Sequence, residues 1–121
     1  MKKILLVEDD LDIQNIYGDL LRNKGYQVTG ATNGNQGLHI IKTEKPDLVL
    51  LDIMLPGGIN GFDILEQLKK DEDLKNIPVI ILTNLETEKK VANKIGVTDY
   101  LIKANVGLNQ LVERVNQYLV Q

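Results

Sequence analysis

Four short runs of apolar residues punctuate the chain, Ile4–Val7, Leu48–Leu51, Val79–Leu82 and Tyr100–Ile102, each followed by a polar or charged residue. Apolar runs of this length, without polar alternation, read as strands covered on both faces, the mark of a parallel sheet. A weaker candidate, Gln27–Ala31, makes a fifth strand. Between the runs apolar residues recur at helical spacing: Ile13, Ile16, Tyr17, Leu20 and Leu21; then Gly37, Leu38 and Ile41; then Phe62, Leu65 and Leu68; then Val91, Ala92 and Ile95. After the last run, Leu108, Leu111, Val112, Val115 and Leu119 predict a fifth helix running to the C-terminus. Strict alternation of strand and helix predicts an open α/β sheet with helices on both faces. Punctuation agrees: Asn23-Lys24-Gly25 follows the first helix, Asn33-Gly34 opens the second, Lys45-Pro46-Asp47 precedes the third strand and Pro78 begins the fourth. The least secure elements are the second strand and the fourth helix, whose thin apolar face is flanked by Lys89, Lys90 and Lys94. A helix anchored by so little apolar surface shifts easily.

At 121 residues the expectation is one domain over 1–121, with nothing left after the fifth helix to build an output domain. Apolar residues at 43% and charged residues at 26% are ordinary globular values and argue against disorder. The absence of Cys excludes disulfides, thiolate zinc sites and cysteine nucleophiles. Met1-Lys2-Lys3 leads into only four apolar residues before Glu8, too few for a signal-peptide core or a membrane span, so a cytoplasmic protein is expected. A formal charge of -3 and a pI near 5.1 supply no basic field, and direct nucleic-acid binding is not expected.

In an open parallel sheet the reactive surface lies at the carboxyl ends of the strands. Glu8-Asp9-Asp10 closes the first run, Asp52 the third, Thr83 the fourth and Lys103 the fifth, so one edge collects them all. Crowded carboxylates repel unless a cation neutralises them, which predicts a hard divalent metal on oxygen ligands. A metal beside a lone Asp suggests phosphoryl chemistry. Asp52 would attack phosphorus, the metal would be held by Asp9, Asp52 and a backbone carbonyl, Lys103 would pair with a phosphate oxygen, and Thr83 would donate a hydrogen bond. Each residue also has a simpler reading. An Asp after a strand is often a turn former; Asp10, just before Leu11 and Ile13, reads as a helix N-cap. Thr83 alone would be a loop hydroxyl, Lys103 a solvated charge, and His39 a surface residue on the second helix. Gly57, Gly58 and Gly61 are expected to serve turn geometry, since no phosphate-cradling glycine pattern is present.

Val7-Glu8-Asp9-Asp10, Leu51-Asp52-Ile53-Met54-Leu55-Pro56, Leu82-Thr83-Asn84 and Asp99-Tyr100-Leu101-Ile102-Lys103, taken in order, resemble the receiver domain of two-component response regulators. The resemblance spans essentially the whole chain. It implies a flavodoxin-like, doubly wound five-stranded parallel sheet of order 2-1-3-4-5 with five helices. It implies Asp52 as phosphoacceptor for a sensor histidine kinase or phosphotransfer protein, and Mg2+ held by Asp9, Asp52 and the backbone carbonyl of Met54, with Glu8 acting through water. Thr83 and Tyr100 resemble a switch pair that carries the change to the surface of helix 4, strand 5 and helix 5, and so to a downstream protein target; a phosphorylation-dependent homodimer fits the same scheme. For Tyr100 the alternative is a half-buried strand aromatic with a hydrated hydroxyl.

Several positions depart from the family pattern. Ala104 stands where Pro, often after a cis peptide, is common, and both a cis and a trans Lys103-Ala104 peptide are open. Pro56–Gly61 is one residue longer than the common loop. Asn84 replaces a small residue and is expected to narrow or polarise access to the site. Met54 and Leu85, two residues past Asp52 and Thr83, are apolar at positions that in receivers influence attacking water, so a long-lived phosphoryl state is expected. Two other classes compete: a phosphorylation-independent interaction module on the same fold, and a flavodoxin-type flavin binder, which aromatics at 4% and an absent Trp disfavour. An aspartyl-phosphate hydrolase would need a second acid where Met54 stands.

Overall fold

The computed structural model describes residues 1–119. Five strands, β1 (Lys3–Val7), β2 (Gln27–Ala31), β3 (Leu48–Leu51), β4 (Val79–Thr83) and β5 (Asp99–Ile102), alternate with five helices, α1 (Leu11–Asn23), α2 (Gly34–Glu44), α3 (Gly61–Lys70), α4 (Lys89–Ile95) and α5 (Leu108–Leu119). The expected continuation of the last helix over 120–121 lies outside the described residues. All strand pairs are parallel and the order is β2-β1-β3-β4-β5, the flavodoxin-like arrangement implied by the motifs. After β2 the chain crosses to the far side of β1, so the switch of direction falls between β1 and β3. At that point the loops leave in opposite directions and a crevice opens above the strand ends.

Side-chain alternation along the strands divides the core in two. Leu5, Val7, Val49, Leu51, Val79 and Ile81 face α2, α3 and α4, where they meet Leu38, Ile41, Ile64, Leu65, Leu68 and Ala92. Ile4, Leu6, Leu48, Leu50, Ile80 and Leu82 face α1 and α5, meeting Leu21, Leu111, Val112 and Val115. Burial on both faces explains why these strands lack polar alternation. The edge strand β2 is the least buried of the five and accordingly reads weakest.

Helix starts are set by side chains at the crevice. The Asp10 carboxylate accepts from the Asp12 and Ile13 N–H groups at 3.0 and 3.2 Å, so it is the N-cap of α1, as its position suggested. Asn60 and Asp63 close a reciprocal capping box at the start of α3. α4 differs: its cap residue Glu88 makes no side-chain cap bond, and Ala92 is its one buried residue. The thin apolar face read from the sequence is thus a thin anchor in the fold.

Candidate functional site

Three strands, β1, β3 and β5, continue their ladders one residue further, and in each case that residue carries a charged side chain. The Asp52 N–H donates to the Val7 carbonyl at 3.1 Å, the Glu8 N–H to Ala31 at 2.9 Å and the Lys103 N–H to Thr83 at 2.8 Å. Backbones so held present their side chains with little freedom. Glu8 and Asp52 are buried at 2% and 7% exposure, and Thr83 at 1%. Asp9 is exposed. Oxygens of Glu8, Asp9 and Asp52 lie within 4.8 Å of one another, a set of hard donors that suits a divalent ion such as Mg2+.

Lys103 enters this cluster from β5. Its Nζ donates to the Asp52 carboxylate at 2.7 Å and also to Glu8 Oε1. One ammonium therefore answers two of three carboxylates, and the site keeps an excess of negative charge. For Glu8, burial is the largest influence and raises its carboxyl above the usual range; Lys103 and the Asp10 N–H pull it back, while Asp52 adds to the rise. For Lys103, burial works against the charge, but hydrogen bonds to Asp52 and Glu8 outweigh it and hold the ammonium above the ordinary lysine value. The two outcomes differ because Lys103 has two anionic partners, whereas Glu8 has one cation and another anion beside it.

Thr83 and Tyr100 are joined by one intervening residue. The Leu85 N–H lies 3.4 Å from Thr83 Oγ1, and the Leu85 carbonyl accepts from the Tyr100 hydroxyl. Tyr100 is buried at 7% exposure, its hydroxyl is bonded to the β4–α4 loop, and burial raises its pKa. Met54 sits two residues past Asp52 and is 64% exposed. Its N–H makes a long 3.4 Å contact to Asp52 Oδ1.

One open alternative is decided and two expectations change. No cis peptide occurs among the described residues, so Lys103-Ala104 is trans. Asn84 does not close over the site: it is exposed, and its Oδ1 accepts the Ala104 N–H at 3.0 Å, tying the β4–α4 loop to the β5–α5 loop. Proline at 104 would have no N–H to give, so the two departures from the family pattern compensate each other. Gly61 is the first residue of α3 and not a turn residue; a Cβ there would lie 2.3 Å from the Asp52 carbonyl oxygen. Gly57 and Gly58, by contrast, do occupy left-handed turn conformations, at φ 89 and 88. The lengthened loop is pinned by Ile59, whose side chain and carbonyl approach Gly34 so closely that a Cβ would meet them at 2.7 Å.

Sequence reasoning missed Gln14, whose Nε2 donates to the carbonyls of Glu8 and Ala31 at 3.1 and 3.0 Å. The signal was Gly30, a glycine inside a strand, which marks a place where another group comes close. His39 is exposed on α2, as expected.

An acidic crevice at the switch point of a flavodoxin-like sheet defines a class of α/β domain, and comparison with known proteins narrows it. The family model of the response regulator receiver domain matches residues 4–116. The chain is 40% identical over 121 residues to Protein PilH of Pseudomonas aeruginosa, covering 98% of each. It is also 40% identical over 119 residues to the probable transcriptional regulatory protein SilR of Salmonella typhimurium, covering 97% of this chain and 50% of that protein. Among solved structures, the BeF3-activated N-terminal receiver domain of Klebsiella pneumoniae RstA superposes with a TM-score of 0.89 at 31% identity, covering 99% of this chain and all of that one. The chain belongs to the response regulator receiver family. Among the described residues no helix is long and apolar enough to cross a membrane.

Proposed function

We propose that this receiver accepts a phosphoryl group on Asp52 from a sensor histidine kinase or phosphotransfer protein, and passes the change by protein contact to a downstream target. The observation that carries the reading is the gathering of Glu8, Asp9 and Asp52 oxygens within 4.8 Å, with Lys103 bonded to Asp52. Asp9, Asp52 and the Met54 carbonyl would hold Mg2+, with Glu8 behind them; bound there, the ion supplies positive charge to the phosphate oxygens. An Asp52 carboxylate oxygen forms the new bond to phosphorus as the bond to the donor nitrogen breaks, and the donor imidazole leaves with that electron pair. Lys103 already touches Asp52 and needs only to release Glu8 to pair with a phosphoryl oxygen. Thr83 Oγ1 turns toward the same group, and the Leu85 N–H then loses its acceptor. The loop that holds the Tyr100 hydroxyl moves with it, and α4, anchored through Ala92, follows.

Incubation with acetyl phosphate and Mg2+, followed by intact mass, tests this reading. The expected result is a gain of one phosphoryl group that vanishes in Asp52→Asn and without divalent metal. A chain that never gains mass is a phosphorylation-independent module.

Met54 and Leu85 put apolar side chains where attacking water would be oriented, and the phosphoryl state is accordingly long-lived. Met54→Asn supplies a hydrogen bond to that water. It should hasten dephosphorylation about fivefold, the rate equivalent of one net hydrogen bond of about 1 kcal/mol. Phosphoryl decay followed by intact mass measures this, and an unchanged decay would show that Met54 does not limit water.

A further inference from the structure

We infer that Gln14 is a positioning residue for the acidic crevice, seated by the missing side chain of Gly30, and that it sets how tightly the crevice binds a divalent cation. The inference rests on the metal-assisted reading of the site given above. Gln14 lies on α1, half-buried over the ends of β1 and β2. Its amide nitrogen has two hydrogens, and both are used: one reaches the Glu8 carbonyl at 3.1 Å and the other the Ala31 carbonyl at 3.0 Å. The Glu8 carbonyl belongs to the peptide that leads into Asp9. The Asp9 carboxylate is itself exposed, so its direction is set by the backbone that carries it. Holding the Glu8 carbonyl therefore fixes the plane of that peptide and, through it, where Asp9 points relative to buried Glu8 and Asp52.

Gly30 makes room for this. A Cβ on Gly30 would lie 2.4 Å from Gln14 Oε1 and 2.6 Å from its Cδ, so any larger residue there would push the amide off both carbonyls. Glycine weakens a strand interior, and β2 is already the least buried strand, so the glycine is explained by the amide it admits. The arrangement is an outer support of the kind that orients ligands without touching the ion.

The test uses the whole chain with Mn2+ as probe, its free ion counted by electron paramagnetic resonance. Gln14→Met keeps the stem and removes both donors; Gly30→Ala leaves Gln14 intact and displaces it from the other side. Both should raise the Mn2+ dissociation constant at least about tenfold, the usual cost of losing an outer support. Both should also raise the Mg2+ concentration that half-saturates phosphorylation by acetyl phosphate, while the rate at saturating Mg2+ stays near native. Binding within about twofold of native in either folded variant, with only the melting temperature lowered, would make Gln14 a staple of the fold and overturn the inference. A native chain that binds no Mn2+ would instead overturn the metal reading beneath it. Should one variant fail to fold, the other decides.

Discussion

Gly61→Ala is expected to lower stability by about 3 kcal/mol, the upper end of the usual cost of overpacking, and to cripple phosphorylation at the same time. A Cβ at this position would stand 2.3 Å from the Asp52 carbonyl oxygen and 2.7 Å from the Ile53 Cα. Both atoms are backbone, so no rotamer change relieves the contact. Either α3 backs away or the Asp52-Ile53 peptide turns. The first option pulls Ile64, Leu65 and Leu68 from a core in which all three are essentially fully buried. It also breaks the 2.8 Å bond from the Gly61 N–H to the Ile53 carbonyl. The second swings Asp52 itself. About 3 kcal/mol is a large share of the stability of a domain this size. Urea unfolding gives the first number and phosphoryl yield by intact mass the second. Gly57→Ala is the control: the space around it is open, so only the strain of its left-handed backbone is added, about 1–2 kcal/mol. Equal urea midpoints for Gly61→Ala and the native chain would show that helix and peptide are not in contact as described.

Lys103→Met should cost about 3 kcal/mol in metal-free buffer, and the reason is what it leaves behind rather than what it removes. The side chains of Glu8 and Asp52 are only 3% and 9% exposed, and their shared cation disappears. The estimate sits at the low end for breaking a buried pair because exposed Asp9 marks an open side where water can reach the charges. Adding Glu8→Gln to Lys103→Met should recover part of the loss, since one orphaned charge is removed. Mn2+ binding should tighten in Lys103→Met, because a competing cation 2.7 Å from Asp52 is gone. Phosphoryl transfer should nevertheless slow by about 10²–10³, the usual penalty for losing one group that answers transition-state charge. Chemical unfolding with a chelator present, Mn2+ titration and the rate with acetyl phosphate separate these effects. A variant as stable as the native chain, with unchanged Mn2+ affinity, would mean that Lys103 does not rest between the two carboxylates.

All five strands were legible, β2 only weakly and the other four plainly, because a strand covered on both faces has no solvent side and so cannot carry polar residues until it ends. The polar residue that ends each run is then conspicuous, which is how Glu8, Asp52, Thr83 and Lys103 came to attention together. Asp10 was readable as a cap because capping depends on residues within one helical turn. α4 showed its weakness in advance, since a helix that buries only Ala92 has little apolar surface to display. Gly61 was misread as a turn residue because a missing side chain gives no hint of which neighbour needs the space. Asn84 was misread for a related reason: its partner, the Ala104 N–H, lies across the crevice on another loop. Gln14 looked like any polar residue on the outer face of a helix.

Local pattern, then, was enough to specify alternating buried strands and covering helices, and to mark which residues stand at the strand ends. Apolar runs, helical spacing and caps all act within a few residues, where chain connectivity already supplies the proximity. Which end-standing groups touch was decided only when parallel strands from distant parts of the chain came into register. That step placed Lys103 between Glu8 and Asp52, brought the Tyr100 hydroxyl to the Leu85 carbonyl, and set Gln14 over Gly30, contacts across separations along the chain that no periodicity encodes.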